Sequence, residues 1–246
     1  MWDDPRRLNA AALLLLLAAL AMLAWGGITW AVRQPAFAIH HVAVDGKLAR
    51  VNPAHVAAVI REELRGTFFT MRLVDARASL LRVPWVKSVA LRRRWPDRLE
   101  VTLGEHEPLA RWNENALVDT DGEAFNADFD GELPQLTGPE GSAGLVAASF
   151  RDFGAALATR AMTISELHLS PRGSWRLRAT GNPPLTIDLG RSAPGERLMR
   201  FVAYQPRTVG ALARAGTRVE YVDLRYSNGF AVRVPGFVER ASKKGS

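Results

Sequence analysis

Leu8 to Val32 is an unbroken run of 25 residues without a charged side chain, and Leu13 to Leu17 are consecutive leucines. A helix needs about 20 apolar residues to cross the hydrocarbon core of a bilayer, so this run spans it with some tilt. Trp25 and Trp30 stand near its far end, where indole rings favour the membrane interface. A cleaved signal peptide is the rival reading, and Ala36-Phe37-Ala38 has the small-x-small form of a cleavage site. The apolar run is well beyond the roughly 7–15 residues of a signal core, and Arg33 and Pro35 intervene. A retained anchor over 8–32 is therefore expected, behind a short tail of residues 1–7. Arg6 and Arg7 on one side face Arg33, Lys47 and Arg50 on the other, so the positive-inside rule gives no clear orientation.

The charge is unevenly distributed. The chain carries +7 overall; residues 33–112 carry 14 Lys/Arg against 8 Asp/Glu, whereas residues 113–236 are nearly balanced at 13 against 14. A basic region next to a membrane suits anionic headgroups or acidic partners. Nucleic acid is not expected, because no binding motif accompanies the charge. There is no cysteine, which excludes disulfides, thiolate metal sites and cysteine nucleophiles.

The region after the anchor reads as strand, helix, helix, strand, strand. Ile39, Val42 and Val44 are strand material closed by Asp45-Gly46. Asn52-Pro53 opens a helix, with Asn as cap and Pro at the first helical position. Val56, Val59, Ile60 and Leu64 form its apolar stripe. A second helix is expected over Leu73–Arg82, then strands Val86–Leu91 and Leu99–Leu103 around Trp95-Pro96-Asp97-Arg98. Alternate positions of a strand face opposite ways, so at most two of Arg92, Arg93 and Arg94 share a surface. Basic groups on an edge strand discourage aggregation, and a solvated face stands here beside headgroup or acidic-partner contact.

The tract from Val83 to Trp112, VPWVKSVALRRRWPDRLEVTLGEHEPLARW, combines Pro-Trp-Val, a basic strand, Trp-Pro, Leu-x-Val and Glu-x-x-Pro. In that order it resembles the POTRA domain of the FtsQ/DivIB division proteins, placing such a domain at 37–106. From 107 to 240 the pattern is mostly strands. Leu109–Trp112, Ala116–Val118, Thr163–Leu169, Ser174–Ala179, Leu185–Leu189, Arg218–Leu224 and Phe230–Val234 are expected strands. Leu133–Pro139 reads as a stiff connector. Helices are expected over Ala147–Arg160, after Pro194, and over Thr208–Ala215. Leu-Pro-x-Leu-x-Gly-Pro, Asp188-Leu189-Gly190, Glu196-Arg197-Leu198 and YVDLRYSNGFAV (Tyr221 to Val232) resemble the β domain of the same family. The fold class is thus α+β: a transmembrane helix, a POTRA domain, a mainly antiparallel β domain with helices, and a tail at 241–246.

Catalytic signals are weak. His40, His41, His55, His106 and His168 show neither HxxxH nor HxxE spacing, and His40 and His41 would point to opposite sides of a strand. Asp119/Asp121 and Asp128/Asp130 could serve a glycosidase, but turn sequence favours Asp for capping backbone amides. No G-x-S-x-G, phosphate loop or plausible S-x-x-K is present. No enzyme, metal or other cofactor is expected.

Function must then lie in surfaces. The resemblance implies a scaffold of the inner membrane at the division septum, with its N-terminus in the cytoplasm and its bulk in the periplasm. It would receive the periplasmic part of FtsB, paired with FtsL, by strand addition at the terminal strand, and would meet other divisome membrane proteins. Carried over residue by residue, the implied contact set is Arg172, Arg225, Tyr226, Ser227, Gly229, Phe230, Ala231 and Val232. This sequence departs from the pattern at Asn228-Gly229-Phe230 and Arg233-Val234-Pro235. A secretion or outer-membrane assembly module is the alternative, which normally continues into a β-barrel for which 246 residues leave no room. A periplasmic hydrolase is a third.

Overall fold

The computed structural model describes residues 5–46, 48–63, 67–181, 184–226 and 228–234. They form two compact units, 1–105 and 106–246. The expected positions Leu64, Ser227, Pro235 and the tail 241–246 lie outside the described residues.

In the first unit, α1 (Pro5–Val32) is a single 28-residue helix, about 42 Å long at 1.5 Å per residue. Its segment Asn9–Val32 has a mean hydropathy of 2.3 and is long and apolar enough to cross a membrane. A 3₁₀ turn at Pro35–Phe37 leads to β1 (His41–Asp45), α2 (Pro53–Glu63), α3 (Leu73–Leu80), β2 (Val86–Arg94) and β3 (Arg98–Glu105). The sheet order is β1-β3-β2, with β1 parallel and β2 antiparallel to β3. The expected strand-helix-helix-strand-strand order is therefore present. Asn52 caps α2 as expected: its Oδ1 accepts the Ala54 N–H at 2.9 Å. On β3, Leu99, Val101 and Leu103 turn inward and are buried, together with Val56 and Leu80 of the two helices.

Glu105 ties this unit together. Its carboxylate accepts the N–H groups of Ala49, Arg50 and Val51 at 2.7–3.0 Å, fixing the loop that enters α2. Burial alone would raise its pKa, but the three amides outweigh that and hold it below the ordinary glutamate value.

The second unit is a nine-stranded sheet with helices against one face. It runs β4 (Pro108–Trp112), β5 (Ala116–Asp119), β6 (Ala124–Phe125), β7 (Gln135–Thr137), α4 (Ala143–Ala158), β8 (Thr163–Leu169), β9 (Trp175–Thr180), β10 (Leu185–Gly190), α5 (Pro194–Tyr204), α6 (Val209–Arg214), β11 (Tyr221–Asp223) and β12 (Ala231–Arg233). The sheet order is β12-β11-β10-β9-β8-β7-β4-β5-β6. Five of its eight strand pairs are antiparallel, so the sheet is mainly antiparallel, as expected. Strand alternation decides the layers: Trp175, Leu177, Ala179, Ile187, Leu189 and Val222 face a core shared with Val146, Phe153, Leu157, Leu198 and Phe201 of the helices.

The connector expected at Leu133–Pro139 instead holds a strand at its centre, Gln135–Thr137. β7 lies between β4 and β8, parallel to both. Leu136 is fully buried, and Pro134, which cannot donate to a ladder, uses its carbonyl to accept the Arg111 N–H at 2.9 Å. Three residues are too few to show an alternation. Other boundaries shift modestly. α4 begins earlier, at Ala143, and ends at Ala158, two residues short of Arg160, while β11 and β12 are shorter than expected. His40 and His41 do not diverge: both Nδ1 atoms approach the Asp97 carboxylate, at 3.7 and 3.3 Å, because only His41 belongs to the strand.

Candidate partner-docking edge

β12 is the terminal strand of the nine-stranded sheet and pairs with β11 through Tyr221↔Arg233, Val222↔Val232 and Asp223↔Ala231. Alternation splits the terminal segment. Phe230, Val232 and Val234 are half-buried against the core, and Phe230 meets the fully buried Phe201 edge-to-face, with centroids 5.6 Å apart. Ala231 and Arg233 face outward, with the Arg233 guanidinium 5.4 Å from the Tyr221 ring centroid. The side chain of Phe230 is thus a support of the edge, whereas Tyr226, 58% exposed, is free to touch a partner. Gly229 is half-buried in the approach to β12.

Two buried carboxylates hold this edge; both lie in stretches that carry the family resemblance, but nothing in the sequence showed that they pack together. Asp188 on β10 is in register with Asp223 on β11, so both side chains lie on the face opposite the helices. Asp188 Oδ2 accepts from Arg176 Nη2 at 3.0 Å and from the Tyr221 hydroxyl at 2.9 Å. Asp223 accepts the Arg225 backbone N–H at 3.0 Å and its guanidinium at 2.6–3.0 Å. The Arg225 hydrogen bond holds the Asp223 carboxyl below its ordinary pKa and raises that of Arg225 itself. Burial, reinforced by the Asp188 hydrogen bond, pushes the Tyr221 hydroxyl up. Arg225 is therefore anchored, not a loose solvated charge.

Gly190, at φ +74°, lets these groups crowd together. A Cβ there would lie 2.6 Å from Arg197 Nη1, which donates to the Leu189 carbonyl, and 2.9 Å from Arg225 Cγ. The sequence signal that could have found the cluster is a charged residue between Ile187 and Leu189, inside a mostly apolar strand. Arg172 occupies the exposed turn between β8 and β9, closed by Gly173 at φ +79°. Leu169 pairs with Trp175, and Trp175 with Gly190, so Arg172 and Arg225 sit at the same end of the sheet. Topology gathers Arg172, Arg225, Tyr226, Gly229 and Phe230 at that end, with Ala231 and Val232 running along the edge.

The acid pair Asp119/Asp121 is not arranged for hydrolysis. Asp119 is fully buried; its Oδ1 accepts the N–H groups of Asp121 and Glu123 at 2.9 and 2.8 Å, and its Oδ2 meets His106 Nδ1 at 2.8 Å. Folding does bring ligand atoms of His106, Asp119 and Glu123 within 4.8 Å of one another, which no spacing motif announced. The two buried members are, however, engaged with each other and with backbone amides, and His106 also stacks on Phe125 at 4.1 Å.

Comparison with known proteins agrees with this architecture. Residues 37–106 match the FtsQ-type POTRA domain, and residues 110–225 match the C-terminal domain of cell division protein FtsQ/DivIB. Cell division protein FtsQ of Burkholderia pseudomallei is 40% identical over 243 residues, covering 96% of this chain and 95% of the relative. That of Nitrosospira multiformis is 34% identical over 238 residues, covering 95% and 99%. That of Escherichia coli is 39% identical over 172 residues, covering 68% and 62%. With two matched domains in sequence behind a single apolar helix, and relatives aligned over nearly its whole length, the chain belongs to the FtsQ/DivIB family of cell division proteins.

Proposed function

We propose that this division protein is a non-enzymatic scaffold of the divisome that receives FtsB, and through it FtsL, by strand addition at β12. Helix α1 fixes it in the inner membrane, with the N-terminus in the cytoplasm and the two folded units in the periplasm. The POTRA domain occupies 37–106 and the β domain 107–240. In this role it links early and late division proteins at the septum.

The observation that carries the reading is the position of β12. Among the described residues it ends the sheet order, with no strand on the outer side of its backbone, which leaves room there for a further strand. Arg172, Arg225 and Tyr226 are exposed at the same end of the sheet and offer two cationic donors and an aromatic face to an acidic, extended segment.

The test titrates the full chain in detergent with the periplasmic segment of FtsB, beside Tyr226→Ala and Val232→Pro variants. Tyr226→Ala removes an exposed side chain and should leave folding intact, while weakening binding by about tenfold, or about 1.4 kcal/mol. Val232→Pro removes a strand N–H and should abolish binding. Wild-type affinity in both variants would place the partner elsewhere; absence of wild-type binding would remove the proposal.

A further inference from the structure

The first unit carries a second exposed surface, which requires only that α1 lie in a membrane. It is the tip of the β2–β3 hairpin. Trp95 at the turn is 74% exposed, and Arg92, Arg94 and Arg98 are exposed around it. Arg94 and Arg98 are cross-strand partners, an arrangement of like charges that is unfavourable by itself. One acid relieves it in part, since Arg94 Nε pairs with Glu100 at 3.0 Å. The nearby Asp97 faces His40 and His41, and Asp75 is paired with Arg72 at 2.8 Å.

The hairpin tip is tied to the end of the anchor. The carbonyl of Val32, the last residue of α1, accepts the Thr67 hydroxyl at 2.7 Å, and the Phe37 carbonyl accepts the Phe68 N–H at 2.7 Å. Four residues on, the Met71 carbonyl accepts Arg93 Nη2 at 2.5 Å, and the Arg93 guanidinium stands 5.9 Å from the Phe68 ring centroid. From the other side, the N–H groups of His40 and His41 donate to the Asp97 carbonyl at 3.1 and 3.4 Å. Arg93 is thus spent on holding the tip against the segment that leaves the membrane, while Arg92 and Arg94 point away on the opposite face of β2. Phe69, 49% exposed, packs edge-to-face on Phe37 and Phe68 at 5.3 Å in the same juxtamembrane turn.

An exposed indole, an exposed phenyl ring and three exposed guanidiniums, linked to the last residue of a membrane helix through Arg93, Met71 and Thr67, have the chemistry of an interfacial anchor. Indoles settle at the headgroup level and arginines seek lipid phosphates. The geometry points to the β2–β3 hairpin tip docking on the anionic headgroups of the leaflet from which α1 emerges, with Trp95 inserted and Arg92, Arg94 and Arg98 on phosphates. The hairpin thereby acts as a second foot beside the helix and sets the tilt of the first unit on the membrane.

The experiment places the full chain in nanodiscs of phosphatidylcholine, with or without phosphatidylglycerol, doped with brominated phosphatidylcholine. The background is Trp2→Phe/Trp25→Phe/Trp30→Phe, and a further Trp95→Phe variant isolates the Trp95 emission. In phosphatidylglycerol discs, about half or more of the Trp95 emission should be quenched, as expected for an interfacial indole. Arg92→Glu/Arg98→Glu, or raising salt to about 0.5 M, should lower that quenching at least about twofold. The salt series on the native arginines keeps the test decisive if the charge-reversed chain misfolds. Unquenched Trp95, open to aqueous acrylamide in phosphatidylglycerol discs, would overturn the proposal and leave the basic tip to an acidic protein. Equal quenching without phosphatidylglycerol, insensitive to salt and charge reversal, would overturn the role of anionic headgroups.

Discussion

The two units end their sheets in opposite ways. β2, at one edge of the first sheet, is nine residues long and finishes in Arg92-Arg93-Arg94, whereas β12 is three residues long and carries Ala231, Val232 and one arginine. Charge on a long edge keeps a stray strand from pairing with it. A short edge limits unwanted pairing by length alone, and β12 is instead stiffened from behind. Phe230 leans on Phe201, and Asp188 and Asp223 fix Tyr221 and Arg225 on the open face. The contrast shows that one chain can guard one sheet edge by charge and another by short length and support from behind.

Phe201→Ala should break the comparison most severely. Phe201 is fully buried beneath β12, and its loss should cost about 3–5 kcal/mol in urea denaturation of the second unit. Gly190→Ala comes next. An alanine at φ +74° that presses on Arg197 and Arg225 should cost about 1–2 kcal/mol, with faster amide exchange in β11 and β12.

Acid and alkali should sharpen the contrast in opposite senses. Glu105 has a lowered pKa in the folded first unit, so its stabilisation is full above its ordinary value of 4.5 and is lost as pH falls through the lower folded value. Tyr221 has a raised pKa in the folded second unit, so its contribution is full below 10.0 and is lost as pH rises through the higher folded value. Glu105→Gln should flatten the acid limb for the first unit, and Tyr221→Phe the alkaline limb for the second, both followed by circular dichroism. The smallest effect on stability, within about 0.5 kcal/mol, is expected for Arg92→Val/Arg94→Val on the exposed face of β2. Light scattering should nevertheless rise, because the long edge has lost two of its exposed charges.

Much of this was legible in the sequence because it follows from local rules. Asn52-Pro53 starts α2, Leu99-x-Val101-x-Leu103 faces inward, and 25 uncharged residues make up most of α1. What was not legible depends on long-range register. β7 is too short to show a period, and only its neighbours β4 and β8 make it a strand. Asp188 and Tyr221 are 33 residues apart, and only the parallel pairing of β10 with β11 brings them together. The terminal segment was readable as an edge, but not the split between Phe230, which supports it, and Tyr226, which is exposed. The His106–Asp119 bond was likewise hidden, since a 13-residue separation fits no metal or catalytic spacing.

The central claim is that β12 accepts a partner strand. Hydrogen–deuterium exchange of the full chain, with and without the saturating FtsB segment, tests it most directly. The account predicts that amides across Phe230–Val234 slow by at least about tenfold on binding, as new strand hydrogen bonds close the edge. Saturable binding that leaves those amides unchanged and protects another region would contradict it.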